Sequence, residues 1–281
     1  MAAALLALAA GTAAATPVTA SAPRGGTARH APAEVFVGQR SDYKTFSGLS
    51  VEIPPNGSAW AVAYCPQGTR PSGGGGNSDG YTSGNNVYLV TSLPSMELGS
   101  WHVQFANTSP DTRAYGWAEA RCTNAESYAH EAMFQLVGAG QEKSMTSWCA
   151  PGERLSGIGF RSYDPFLRVL DAYPEDEVTV RVRSLNTSDD TLARMSAVAV
   201  CGRDNYIVHN AYTTLQSQET RQVGANCPQG WTPTGGGVVS GGSATYRQSS
   251  EPTAYGWQAD VRNTSSSQVT VGAYVVRAVP S

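Results

Sequence analysis

Charge is scarce in this 281-residue chain: Asp, Glu, Lys and Arg make up 15%, against about a quarter in an average soluble domain. Lysine is nearly missing, with only Lys44 and Lys143. The 19 basic residues face 22 acidic ones and form no cluster, so the electrostatic footprint of a nucleic-acid partner is absent. A disordered acidic tail is also excluded, because 41% of the residues are hydrophobic and the net charge is only -3. Beyond the N-terminus no apolar run approaches the roughly 18 residues of a membrane helix, and no membrane span is expected. Helical periodicity is missing too; residues 125–133 are the one candidate, a single short turn.

Catalytic and metal signatures are equally thin. C-x-x-C spacing does not occur, so the cysteines are not expected to bind metal. His130-Glu131 begins like the zinc-protease H-E-x-x-H but places Phe134 at the second ligand. Ser240 in Gly237-Val238-Val239-Ser240-Gly241 has the wrong spacing for a nucleophile elbow. The Gly73–Gly76 run leads into no Gly-Lys-Ser/Thr and is no P-loop. Neither a cofactor nor a metal is expected.

What is present begins with an Ala/Leu-rich run over residues 2–15, too short to span a bilayer. Ala20-Ser21-Ala22 follows in the small-residue style of a cleavage site. We therefore expect a signal peptide over 1–22, a linker over 23–42 and a secreted protein. The basic residue that ordinarily precedes such a run is lacking, the first being Arg24, so the true start is expected upstream of Met1.

The strongest signal is internal repetition. Cys65-Pro66-Gln67-Gly68, Cys149-Ala150-Pro151-Gly152 and Cys227-Pro228-Gln229-Gly230 are each followed, at one fixed distance, by Gly73-Gly74-Gly75, Gly157-Ile158-Gly159 and Gly235-Gly236-Gly237. Later in each unit come Asn107-Thr108-Ser109, Asn186-Thr187-Ser188 and Asn263-Thr264-Ser265. Three β-repeats are thus expected, over 43–125, 126–203 and 204–281. Alternating runs before each Asn-Thr-Ser, such as Trp101-x-Val103-x-Phe105, mark strands with one buried face. Asn-Thr-Ser then reads as a hairpin turn, a better account than glycosylation, and Cys-Pro-x-Gly as the turn of an earlier hairpin, with proline presetting it. Counted from these markers, Trp101 and Trp257 are equivalent, with Val180 in the middle unit, and core packing is their expected role. The repeated Ala-Tyr-Gly-Trp at 114–117 and 254–257 is coincidental. Glycines at alternate positions would let another backbone approach closely. The fold class is all-β, with a pseudo-threefold, β-prism-like packing favoured; tandem small β-sandwiches are the alternative.

Export permits disulfides, and the spacing pairs Cys65 with Cys122 and Cys149 with Cys201. Repeat 3 has Arg277 where the partner of Cys227 would stand. Cys227 is then a half-buried free thiol or, in the sharper reading, a bridge to a second copy. The candidate binding residues lie in an insertion of repeat 1: Asp79, Tyr81, Asn85 and Asn86, polar groups and a ring suited to sugar hydroxyls. The acidic group Asp171, Glu175, Asp176 and Glu177 reads as a solvated turn.

The pattern C-P-x-G-x4-G-G-G, then W-x-V-x-V/F-x-N-T-S, then V-x-A-V-C, resembles a repeat of secreted proteins from actinobacteria such as Streptomyces. It covers about 43–281, departs at Ala150-Pro151 and Arg277, and implies export and a β-repeat fold without implying an activity. The expected function is a secreted, non-enzymatic binding protein for a glycan or protein at the cell surface or wall. An extracellular glycan-acting hydrolase and a structural component of an extracellular assembly are the alternatives.

Overall fold

A computed structural model describes residues 42–79 and 86–279, all within the unit Arg40–Ser281. The expected signal peptide, all but the last residue of the expected linker, and Tyr81 and Asn85 lie outside the described residues. The architecture is all-β and antiparallel. Repeat 1 holds β1 (Tyr43–Ser47), β2 (Val51–Ile53), β3 (Gly57–Tyr64), β4 (Arg70–Ser78), β5 (Val87–Ser95), β6 (Ser100–Asn107) and β7 (Ala114–Thr123). Repeat 2 holds β8 (Tyr128–Glu131), β9 (Gln135–Val137), β10 (Glu142–Trp148), β11 (Arg154–Ser162), β12 (Leu167–Pro174), β13 (Thr179–Asn186) and β14 (Ala193–Gly202). Repeat 3 holds β15 (Tyr206–Leu215), β16 (Thr220–Asn226), β17 (Thr232–Ser240), β18 (Thr245–Arg247), β19 (Glu251–Pro252), β20 (Gly256–Asn263) and β21 (Val269–Ala278). The short helical turn expected near 125–133 is instead the strand β8, laid against β14. No helix among the described residues is long and apolar enough to cross a membrane.

Every repeat deals its strands to two layers in the same way. In repeat 1, β7 is flanked by β4 and by β1 with β2, while β6 is flanked by β3 and β5. Repeats 2 and 3 do the same around β14 with β13, and around β21 with β20. The sheets then run on into the neighbouring repeat: β5 pairs with β11 at Ser92 and Phe160, β12 with β17 at Ala172 and Val238, and Gly76 bridges to Ser250. Each sheet is therefore shared by two repeats rather than owned by one. Tandem sandwiches describe the inside of a repeat but not these seams.

Sheet membership also corrects two turns. β6 and β7 lie in different sheets, as do β3 and β4, so Asn-Thr-Ser and Cys-Pro-x-Gly are crossovers between layers and not hairpins. In the second, Gly68, Gly152 and Gly230 have φ of 84°, 85° and 85°. The N–H of Thr69, Glu153 and Trp231 closes each turn on the carbonyl of Pro66, Ala150 and Pro228. A left-handed third residue defines this turn type, which is why repeat 2 keeps the glycine while its proline moves. Asn107, Asn186 and Asn263 are buried. Each Nδ2 donates to two carbonyls (Ile53 and Thr112, Val137 and Thr191, Gln216 and Ser267). Amides committed this way are unavailable for glycan attachment.

The repeats meet through their glycine strands. A Cβ on Gly73 would overlap the Thr234 carbonyl and Gly235 Cα; one on Gly157, the Ser72 carbonyl and Gly73 Cα; one on Gly235, Gly157 Cα and the Ser156 carbonyl. The preceding hydroxyls close a ring: Thr234 Oγ1 donates to Ser156 O at 2.8 Å, Ser156 Oγ to Ser72 O at 3.1 Å, and Ser72 Oγ to Thr234 O at 3.4 Å. These groups are buried, and the hydroxyls also lie 3.1–3.2 Å from the carbonyls of Arg121, Val200 and Val276 in their own repeats, so the polar atoms at the centre have partners away from water.

Inside each repeat, a second glycine makes room for tryptophan. Gly74 lies against Trp101 and Gly236 against Trp257. The indole N–H groups donate to Ser92 Oγ and Ser250 Oγ at 2.9 and 3.0 Å. Repeat 2 changes all three positions together, to Ile158, Val180 and Ala172. Volume is conserved, and without an indole N–H no hydroxyl acceptor is needed.

Disulfides Cys65–Cys122 and Cys149–Cys201, with Cα separations of 5.6 and 5.7 Å, tie together the two layers of repeats 1 and 2. In repeat 3 the Arg277 guanidinium stacks 4.3 Å from the centre of the Trp231 ring. Cys227 is a half-buried free thiol. Burial pushes it up to about 11, so the unreactive thiol form dominates at neutral pH.

Candidate functional site

The three seams present outward side chains at corresponding positions, and each seam has a different chemistry. At the seam of repeats 1 and 2, Leu93, His102, Gln104 and Arg161 line a groove of about 510 Å³ with Trp60 and Tyr163. β3 carries Trp60 directly opposite Gln104 on β6. Tyr163 follows β11 and is held from several sides. Its hydroxyl donates to Glu131 Oε1 at 2.9 Å, and the Arg161 and Arg194 guanidiniums lie 5.3 and 5.5 Å from its ring centre. Phe134 meets the ring edge-on at 6.0 Å. Arg161 is paired with Glu131 at 3.3 Å. Trp60 is 49% exposed and Tyr163 38%, so both aromatic side chains reach solvent. His102 Nε2 lies 2.9 Å from Ser100 Oγ, and burial lowers the ring's pKa. The imidazole is thus neutral at pH 7, offering hydrogen bonds without charge.

The seam of repeats 2 and 3 carries tyrosines instead. Tyr173 and Tyr274 ring centres are 5.4 Å apart, and the Tyr212 and Tyr274 hydroxyls are 2.6 Å apart. Beside them Asp171 is buried against Arg183 and accepts from the Ser240 N–H. This corrects the reading of the acidic group as one solvated turn. Asp176 does cap the β12–β13 turn, accepting from the N–H groups of Val178 and Thr179, and Glu175 and Glu177 pair with Arg181 and Arg154.

At the third seam, between repeats 3 and 1, carboxylates gather. Glu251 is 5% exposed, and its Oε1 accepts from Asn77 Nδ2 and Gln258 Nε2, both at 2.7 Å. Burial, reinforced by the charges of Glu119 and Asp260, pushes Glu251 up to about 7. Burial raises Glu119 as well. A carboxyl group whose pKa is higher in the folded chain favours folding when protonated, so its contribution is lost as pH rises through about 4.5 to 7. Glu251→Gln should therefore raise the melting temperature at pH 8 and leave it nearly unchanged at pH 4. Equal shifts at both pH values would refute the assignment.

Of the residues expected to bind ligand, the described ones, Asp79 and Asn86, do not line the groove. Asp79 Oδ1 accepts from the Tyr115 N–H at 2.7 Å, and the Asn86 carbonyl accepts from the Thr108 N–H at 2.9 Å, which are local structural roles. Tyr81 and Asn85 lie outside the described residues. His130, Glu153 and Cys201 come together with metal-like spacing, but the Cys201 sulfur is bonded to Cys149 and is no thiolate. His130 Nε2 is instead 2.7 Å from Glu153 Oε2.

No protein-family model matches this chain, and no curated protein matches it. The groove is not visible in the sequence because Trp60 and Gln104 come from repeat 1 and Tyr163 from repeat 2, and the β5–β11 pairing brings the two repeats together. The available signal is Trp60, an aromatic residue alternating with the small Ala59, Ala61 and Ala63 along its strand.

Proposed function

We propose that this is a secreted, non-enzymatic protein that binds a glycan at the cell surface or wall, in the groove between repeats 1 and 2. The observation that carries this is the pair of half-exposed rings, Trp60 and Tyr163, lining one groove with a neutral imidazole, an amide and a guanidinium. Sugar rings present apolar C–H faces and hydroxyl edges, so aromatic side chains beside hydrogen-bond donors and acceptors suit them. The two disulfides support an oxidising, extracytoplasmic location. A β scaffold stapled in this way holds such a site without rearrangement, which limits the entropy lost on binding.

Binding of the mature protein to insoluble cell-wall peptidoglycan and to a soluble glycan array tests the reading. Trp60→Ala should weaken binding by about 2 kcal/mol, roughly thirtyfold in Kd, and leave the thermal melt unchanged. Binding unaffected by this change, or no glycan retained by the wild type, would overturn the proposal. A second reading, a glycan-acting hydrolase, is favoured by Glu119 and Glu251 at the third seam. Hydrolysis of a glycan that stops in Glu251→Gln would replace the binding role with that one.

A further inference from the structure

Repeat 3 departs from the other two along β18. By register, Arg247 opposite Val261 corresponds to Leu89 opposite Phe105 and to Val169 opposite Ser184. A guanidinium thus occupies a position that is apolar in repeats 1 and 2. Arg247 is 2% exposed, and its Nε and Nη2 are buried with no hydrogen-bond acceptor among the described residues. Its charge lies 4.7 Å from the centre of the Phe160 ring, contributed by repeat 2. Asp171 acts on it electrostatically but is engaged by Arg183 and the Ser240 N–H.

The residues next to this position also meet across repeats. Tyr88, Arg168 and Tyr246 are equivalent by the same register. The Arg168 guanidinium lies 5.6 Å from the Tyr88 ring and 4.9 Å from that of Tyr246, and the two rings pack edge to face at 6.4 Å. Arg168 is half-buried, and its Nε likewise lacks an acceptor. Two guanidiniums with unsatisfied N–H groups therefore lie where the three repeats converge, one deep and one nearer solvent.

An aromatic face relieves part of the cost of burying Arg247, but it does nothing for the N–H edge in the guanidinium plane. That edge is a rigid fork matching two oxygens of a carboxylate or phosphate. An acceptor carrying negative charge would satisfy the N–H groups and the buried charge together. We propose that Arg247 forms the floor of an oxyanion-binding site at the convergence of the three repeats, with Arg168 toward its mouth. The ligand is a phosphate or carboxylate group. This site is separate from the groove at Trp60 and stands whether or not the glycan reading does.

Thermal melts of the mature protein in sodium phosphate, sodium acetate and sodium chloride at equal ionic strength test it. The expected result is a saturable rise in melting temperature with phosphate or acetate over chloride, the tighter of the two naming the ligand group. Arg247→Leu, which copies repeat 1, should abolish the rise while melting no lower than the wild type in chloride. Equal wild-type melts in all three salts would overturn the proposal, as would a rise that Arg247→Leu keeps in full. Should that variant not fold, Arg247→Lys retains the charge without the fork. Calorimetric titration with the stabilising anion should then show at least tenfold weaker affinity, and unchanged affinity would refute the site.

Discussion

Replacing Gly157 with alanine is expected to destabilise the folded state severely. The added Cβ would overlap the Ser72 carbonyl and Gly73 Cα, which are backbone atoms held in β4 by its pairing with β7. Side chains can rotate away from a clash, but a paired strand moves only with its sheet. Relief would require pulling two repeats apart and breaking the hydroxyl ring that Ser156 completes with Ser72 and Thr234. We expect a loss above about 4 kcal/mol, beyond the usual range for point changes and a large part of the 5–15 kcal/mol typical of folded domains. Gly235→Ala should behave alike. Gly242→Ala is the control, since nothing lies within 4 Å of its added Cβ, and its effect should stay within about 0.5 kcal/mol. Urea denaturation followed by far-UV circular dichroism reads all three. A Gly157→Ala protein unfolding within about 1 kcal/mol of the wild type would show that the close approach is not a constraint.

Arg277→Cys should produce a large effect of opposite sign. Arg277 pairs with Pro233 on β17 as Cys122 pairs with Pro71 on β4, and Cys227 precedes its turn as Cys65 and Cys149 precede theirs. The two existing bridges have nearly equal Cα separations, 5.6 and 5.7 Å, so a third in the same framework should close without strain. Closing a loop of about 50 residues is worth roughly 4 kcal/mol in the chain-entropy model. The change also removes a guanidinium whose Nε and Nη1 are buried without acceptors, against the loss of its stacking on Trp231. For a domain of this size a rise of about 8–16 °C in melting temperature follows. The oxidised variant should show no free thiol by Ellman titration, where the wild type shows one. A persistent pair of thiols, or an unchanged melt, would mean that repeat 3 has diverged too far to take the staple.

Much of this was legible in the sequence, for stated reasons. Local chemistry that recurs at fixed offsets is readable: Gly68, Gly152 and Gly230 announce a left-handed turn, and the cysteines announce their pairs. Counting from Asn-Thr-Ser aligns Trp101 with Trp257, and the structure buries both on the middle strand of their layer within each repeat. Chain partners across a seam were not readable. Alternation shows that β6 has a polar face but not that Arg161, from the next repeat, lies beside it. Nor does any local pattern distinguish a hairpin from a crossover, because the same turn residues serve both; Asn107 bonds to the Ile53 carbonyl in the other layer. The carboxylates Glu119 and Glu251 belong to the first and third repeats, and the contacts of β4 with the third repeat, the Gly76–Ser250 bridge and the Asn77–Glu251 hydrogen bond, bring them near each other.

That bridge has a further consequence. Because the last repeat turns back to pair with the first, β4, β5, β11, β12 and β17 are interior strands only while all three repeats are present. Removing any one repeat would expose two long edges with unpaired amides and carbonyls, flanked by glycine-rich and β-branched segments. Such edges template intermolecular pairing. A truncated chain is therefore expected to aggregate rather than persist as a smaller soluble domain, so the number of repeats cannot be reduced one at a time.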